Sequence, residues 1–136
     1  SSLDLSQVYL DWTRENFLLN GIDPTNHYFC KGDTFHWLRR FAKQNRRFDY
    51  IILDPPTFSR DDRGKTFRVE KNYGQLFELA SACLSPEGKI LACTNFRGIS
   101  VSEFMKQLKG AHLKVSPMPE DFTDTPYLKS VWATFR

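Results

Sequence analysis

The chain has 136 residues, 40% hydrophobic and 26% charged, with 12 phenylalanines; that fills one globular core over residues 1–136, is too short for two ordinary domains, and excludes disorder. No stretch approaches the roughly 20 apolar residues of a membrane span, and Ser1-Ser2-Leu3-Asp4 lacks the start of a signal peptide. Cys30, Cys83 and Cys93 sit singly in apolar surroundings, as thiols of the reducing cytoplasm do, and the net charge of +3 is a weak pointer to an anionic partner.

Ser6 can cap a helix running to about Leu19, with Val8, Trp12 and Leu19 on one face and Asn20-Gly21 as its left-handed stop. His27-Tyr28-Phe29-Cys30 reads as a short strand feeding a second helix on which Phe35, Leu38 and Ala42 return at helical spacing. Phe48 to Leu53 is nearly continuous, β-branched and aromatic, the pattern of a parallel strand covered on both faces. It ends at Asp54-Pro55-Pro56, and a polar stretch from Thr57 to about Val69 follows. Tyr73, Leu76, Phe77, Ala80 and Leu84 then repeat at helix period until Ser85-Pro86-Glu87-Gly88 turns the chain. Lys89 to Thr94 reads as a buried strand, and Val101, Phe104, Met105 and Leu108 form a helical face closed by Gly110. Leu113-Lys114-Val115 and Ser130 to Phe135 read as two strands with no helix between them, hence an antiparallel pair.

Strands alternating with helices predict an α/β, doubly wound sheet, mostly parallel with a C-terminal antiparallel strand pair; such sheets bind ligands beyond the carboxyl ends of their strands. Asp4, Asp33 and Asp54 all fall at that edge. An acid after one strand can accept both hydroxyls of a ribose, and an acid after the next can accept an adenine amino group. Asp4 and Asp33 suit these tasks, with Leu5 and Phe35 placed to sandwich the ring and the Thr34 amide to reach a ring nitrogen; Asp4 taken alone reads equally as a turn acid and Asp33 less readily as a helix cap, but the two together point to a nucleoside cofactor. At Asp54-Pro55-Pro56 each proline keeps the preceding residue extended, and neither has an amide hydrogen, so this rim offers acceptors alone. Arg60, Arg63, Lys65 and Arg68 can meet phosphates, and Phe58 or Phe67 can stack on an extruded base, although Asp61-Asp62 weakens the field. Arg39, Arg40, Lys43, Arg46 and Arg47 form a second basic cluster, of the kind common at soluble helix ends. His27, His36 and His112 share no ligand spacing with the cysteines, so no metal site is expected.

Leu3-Asp4-Leu5-Ser6 leading to Trp12, Glu15-Asn16 and Asn20-Gly21, then Gly32-Asp33, Phe48-Asp49 and Leu53-Asp54-Pro55-Pro56-Thr57-Phe58-Ser59, resembles the Rossmann-like methyltransferases that modify 23S ribosomal RNA. Cys93-Thr94-Asn95-Phe96-Arg97-Gly98 and the ending from Asp121-Phe122 to Trp132 are most similar to the guanine-N7 half of the bifunctional enzymes of the K/L type. The resemblance implies a class I methyltransferase fold, S-adenosylmethionine bound by Asp4, Leu5, Asp33, Thr34, Phe35 and Asp54, and a transfer site of Asp54, Pro55, Pro56 and Asn95. It also implies 23S rRNA as the partner of Phe58, Arg60, Arg63, Lys65 and Arg68. Related cytosine-C5 enzymes carry a nucleophilic cysteine after the strand that here ends in Thr94, and Cys93 stands one residue earlier, which argues against a covalent cytosine mechanism.

The resemblance further implies a first strand and a Gly-rich loop that have no counterpart in this sequence. The domain is therefore expected to be N-terminally truncated, its sheet completed by a missing N-terminal part or by another chain. Cytosine-C5 transfer and a non-catalytic RNA-binding or assembly module keeping the fold stay open as alternatives.

Overall fold

The computed structural model describes residues 1–61, 63–120 and 127–135. The chain forms two compact units, Ser1–Arg40 and Phe41–Arg136.

In the first unit, strand β1 (Ser2–Asp4) is followed by helix α1 (Gln7–Leu19), a 3-10 turn at Pro24–Asn26, strand β2 (Phe29–Lys31) and the start of helix α2 (Thr34–Lys43), whose last residues, from Phe41, belong to the second unit. β1 and β2 pair in parallel with Asp4 opposite Lys31. The 3-10 turn has its own opening signal in Asp23-Pro24: the Asp23 carboxylate accepts the Thr25 N–H at 2.9 Å, and proline supplies a preset φ. Ser6 precedes α1 as predicted, but its side chain makes no capping bond; instead Asp4 Oδ1 accepts the Ser6 N–H at 2.7 Å. Gly21 takes a φ of 69° after the helix, the left-handed geometry that glycine adopts without steric cost.

The predicted packing face of α1 is not the one that packs: Val8, Trp12 and Leu19 are 73%, 59% and 83% exposed. Leu10 is buried instead, and the Phe17 ring meets His27 and Phe29 at centroid distances of 4.8 and 5.7 Å. Apolar residues lie almost all round α1, so its period fits several faces, and the aromatic contacts to His27 and Phe29 choose among them. On α2, Phe35, Leu38 and Phe41 are buried, Phe41 taking the place expected of the half-buried Ala42.

The second unit carries β3 (Phe48–Leu53), β4 (Phe58–Arg60), β5 (Thr66–Arg68), α3 (Val69–Ser81), β6 (Leu84–Thr94), α4 (Val101–Gln107), β7 (His112–Ser116) and β8 (Lys129–Thr134). Its main sheet has the order β3-β6-β8-β7. β3 is parallel to β6, and β8 is antiparallel to both of its neighbours, so β3, β6 and β7 point one way and β8 alone is reversed. That is the mostly parallel sheet with an antiparallel C-terminal pair expected from the pattern. The insertion of β8 between β6 and β7 was not legible there.

α3 buries Tyr73, Leu76, Phe77 and Ala80, at the spacing that predicted it, and Val69 besides; Leu84, expected on the same helix, instead opens β6. α4 begins with a reciprocal capping box in which Ser100 and Glu103 satisfy each other's backbone N–H. Both helices pack on the sheet face of Leu53, Ile90, Ala92, Thr94, Val131 and Ala133. Tyr50 and Ile52 alternate onto the opposite face and are 68% and 70% exposed, so β3 is not covered on both faces as predicted. The cause is local to this unit: α3 and α4 lie on one side, and β3 is an edge strand of its sheet.

Two further segments depart from the pattern. Phe48 pairs with Leu84 and Tyr50 with Lys89, so the predicted turn at Ser85–Gly88 bulges out within one irregular strand. A Cβ on Gly88 would sit 2.9 Å from the Phe48 carbonyl oxygen, which is why the bulge closes on glycine. The polar stretch after Thr57 holds the β4–β5 hairpin, in the register Phe58 to Arg68 and Arg60 to Thr66. Three-residue strands are too short to show alternation.

Candidate functional site

The first unit brings two of the expected acids to one edge. Because β1 and β2 are parallel and end together, Asp4 and Asp33 follow adjacent strand ends, and the Gly32 N–H donates to the Asp4 carbonyl at 2.8 Å. Each carboxylate also holds its own loop. Asp4 Oδ1 accepts from the Ser6 N–H, and Asp33 Oδ1 accepts from the Phe35 N–H at 3.0 Å, fixing the opening turn of α2. Leu5 is exposed beside Asp4, whereas Phe35 is only 7% exposed. Thr34 is the first residue of α2, where backbone amides point out of the helix. Two carboxylates, an outward amide and an apolar neighbour form a donor and acceptor set that fits a nucleoside: diol, ring amine, ring nitrogen and ring face.

The second unit brings together the rim residues. β3 delivers Asp54-Pro55-Pro56 and the parallel β6 delivers Thr94-Asn95 at the same edge, since Leu53 pairs with Ala92. Thr57 Oγ1 donates to Asn95 Oδ1 at 3.1 Å, tying the two loops. Asp54, Pro56 and Asn95 are exposed and Pro55 is half-buried. Thr94 is buried, and its Oγ1 accepts the Phe96 N–H at 3.2 Å. Cys93 is buried on β6 with its Sγ 3.6 Å from Ser130 Oγ, and burial pushes its thiol up, away from the thiolate that cytosine activation requires.

The β4–β5 hairpin adjoins this rim in sequence. Asp61 Oδ1 accepts the N–H groups of Arg63 and Lys65 at 3.0 and 2.8 Å, so that carboxylate closes the hairpin tip. Arg60, Arg63, Lys65 and Arg68 are exposed, as is Phe58, over whose ring Arg68 stacks at 5.3 Å. Phe67 is buried and presents no ring to solvent. In the second basic cluster, Arg40 stacks on Trp37, Arg46 stacks on Phe41 and Phe48, and Arg47 donates to the Ala82 carbonyl. Asp62 and the segment Asp121-Phe122 lie outside the described residues. Among those described, no group of His, Cys, Asp and Glu can hold a metal ion, and no helix is long and apolar enough to cross a membrane.

Two residues at the rim carry roles that the sequence did not signal. Lys129, the first residue of β8, is buried; its Nζ donates to the Phe96 and Tyr127 carbonyls at 2.8 and 3.0 Å, and burial pushes its ammonium down. Tyr73 reads as one more apolar position of α3, yet its hydroxyl lies 2.9 Å from the Leu53 carbonyl and 3.0 Å from that of Cys93.

The architecture is the class I, Rossmann-like methyltransferase fold. A candidate methyltransferase complexed with SAH superposes on 98% of the chain and 38% of its own, at a TM-score of 0.86 and 28% identity. A candidate SAM-dependent methyltransferase from Streptococcus mutans follows at a TM-score of 0.83 and 27% identity, over 98% of this chain and 37% of its own. In sequence the chain is similar to the ribosomal RNA large subunit methyltransferases: it is 34% identical over 134 residues to methyltransferase K/L of Desulfotalea psychrophila, matching 97% of this chain. It is 32% identical over 123 residues to methyltransferase K of Neisseria meningitidis serogroup B, matching 89% of this chain. The chain spans 18% of the first relative's length and 35% of the second's. No family model matches it.

Proposed function

We propose that this chain is part of an S-adenosylmethionine-dependent methyltransferase of ribosomal RNA that acts on guanine N7 of 23S rRNA, in the cytoplasm. One observation carries the reading: Asp4 ends β1 and Asp33 stands two residues past the end of the parallel β2, in a fold shared with a protein solved with SAH bound. Asp4 holds the ribose hydroxyls and Asp33 the adenine amine, with Leu5 and Phe35 on the apolar side of the ring and the Thr34 amide at a ring nitrogen. Asp54, Pro55, Pro56 and Asn95 present acceptors that orient the guanine. Arg60, Arg63, Lys65 and Arg68 meet phosphates, and Phe58 stacks on a base. Bound S-adenosylmethionine supplies an electrophilic methyl group, and guanine N7 offers a lone pair with no proton to lose, so positioning suffices and no general base is required. The raised, buried Cys93 thiol weighs against cytosine C5 as the target.

The test is transfer of labelled methyl to 23S rRNA, followed by mapping of the modified atom. N7-methylguanine is expected, detected by backbone cleavage at the methylated base after reduction. Label on cytosine C5, lost in Cys93→Ala, would replace this reading with the covalent one. Absence of SAH binding by calorimetry would leave a non-catalytic RNA-binding module.

A further inference from the structure

We propose that Tyr73 is the positioning residue of the transfer site, a hydroxyl clamp that locks together the strand ends carrying Asp54 and Asn95. The role rests on the functional reading above, but the geometry stands without it. Tyr73 comes from the middle of α3, is fully buried, and is held edge-on by Phe104 of α4 at a centroid distance of 4.8 Å. From there its hydroxyl reaches the last carbonyl before Asp54, at 2.9 Å, and the last carbonyl before Thr94, at 3.0 Å. A phenol has one proton and both partners are acceptors, so the two carbonyls converge on a single O–H. Two carbonyl oxygens aimed at one point repel each other unless a donor stands between them, and burial, which pushes the phenol strongly up, keeps the proton there.

The consequence follows from peptide planarity. Fixing the Leu53 oxygen fixes the plane that ends at the Asp54 nitrogen, and fixing the Cys93 oxygen fixes the plane that ends at the Thr94 nitrogen. The two prolines after Asp54 and the Thr57–Asn95 hydrogen bond carry that direction into the rim. A single side chain below the edge therefore sets the relative placement of two loops above it, with Thr57 to Asn95 as the upper tie.

The test is Tyr73→Phe, which deletes the hydroxyl and keeps the ring against Phe104. Its partner variant is Phe104→Leu, which loosens the same packing and leaves the hydroxyl in place. In Tyr73→Phe, kcat is expected to fall about tenfold, as small misplacements of reacting groups do, with KM for S-adenosylmethionine changed less than twofold. Amide hydrogen exchange at Asp54, Thr57 and Asn95 is expected to quicken in Tyr73→Phe and to stay near wild type in Phe104→Leu. Equal kcat losses in the two variants, or unchanged exchange at those three amides in Tyr73→Phe, would overturn the clamp. If wild type neither binds SAH nor transfers methyl, the function reading fails, and the exchange comparison still decides the role of Tyr73.

Discussion

Replacing Asp33 by asparagine separates the helix-opening hydrogen bond that its carboxylate makes from the adenine contact proposed for it. Asparagine keeps an oxygen that can accept the Phe35 N–H, now 3.0 Å from Asp33 Oδ1, so α2 can still begin where it does. What disappears is the charge. A hydrogen bond to an ionised acceptor contributes about 1.5–3 kcal/mol against about 1 kcal/mol for a neutral one. SAH affinity is therefore expected to drop by about 0.5–2 kcal/mol, roughly 2- to 30-fold. Folding stability should fall by only about 0.3–1 kcal/mol, the contribution of an anion at a helix N-terminus. Calorimetric titration of SAH into wild type and Asp33→Asn, with denaturant unfolding of both, measures the two quantities apart. S-inosylhomocysteine, which carries an oxygen in place of the adenine amine, sharpens the comparison: wild type should discriminate against it, and Asp33→Asn should discriminate far less. If the variant bound SAH as tightly as wild type, or kept the same discrimination, Asp33 would be a helix cap and nothing more.

Arg60→Ala and Arg63→Ala on the hairpin should each lower the slope of log affinity against log salt for single-stranded rRNA segments by about 0.7, with SAH binding unchanged; an unaltered slope removes that residue from the RNA contact. His27, set edge-on to Phe17 and tilted against Phe29, is pushed below the ordinary histidine value of about 6.5 by burial. The unfolded chain then binds a proton that the folded one refuses, so stability should be lost as pH falls below about 6.5 toward the folded-state value. Denaturation midpoints between pH 7.5 and 5 should show that loss in wild type and a flatter profile in His27→Gln, and parallel profiles would refute the assignment. Gly88→Ala forces a Cβ to 2.9 Å from the Phe48 oxygen and 3.0 Å from Leu84 Cδ2. It should cost about 1–3 kcal/mol of stability, and a variant as stable as wild type would mean that the bulge opens freely.

What the sequence made legible follows from which signals are local. The Tyr73 to Ala80 spacing predicts α3 because its apolar residues occupy one face, while α1 carries apolar residues nearly all round and its buried face depends on His27 and Phe29, many residues away. Asp4 and Asp33 were readable as edge acids because one closes a short strand and the other stands just past one, but their adjacency needed the parallel pairing of β1 with β2. The clamp at Tyr73 could not be read at all: a tyrosine at a helical core position looks like packing until the carbonyls of Leu53 and Cys93 are seen to converge on it. Lys129 is similar, since nothing local tells a buried lysine that braces the Phe96 loop from a surface one.

The insertion of β8 has a consequence for how the molecule comes to be made. β6 and β7 flank β8, with Lys89 opposite Thr134 and His112 opposite that same Thr134, so no direct β6–β7 ladder stands in for it. During synthesis, therefore, residues 84–94 leave the ribosome long before residues 129–134 can cover their free edge. In that interval β6, apolar along Ile90, Leu91 and Ala92, offers an unpaired ladder to any other nascent strand. The stretch that closes the sheet last is thus the one on which escape from aggregation depends, and truncating it should cost soluble yield well before it costs helix content.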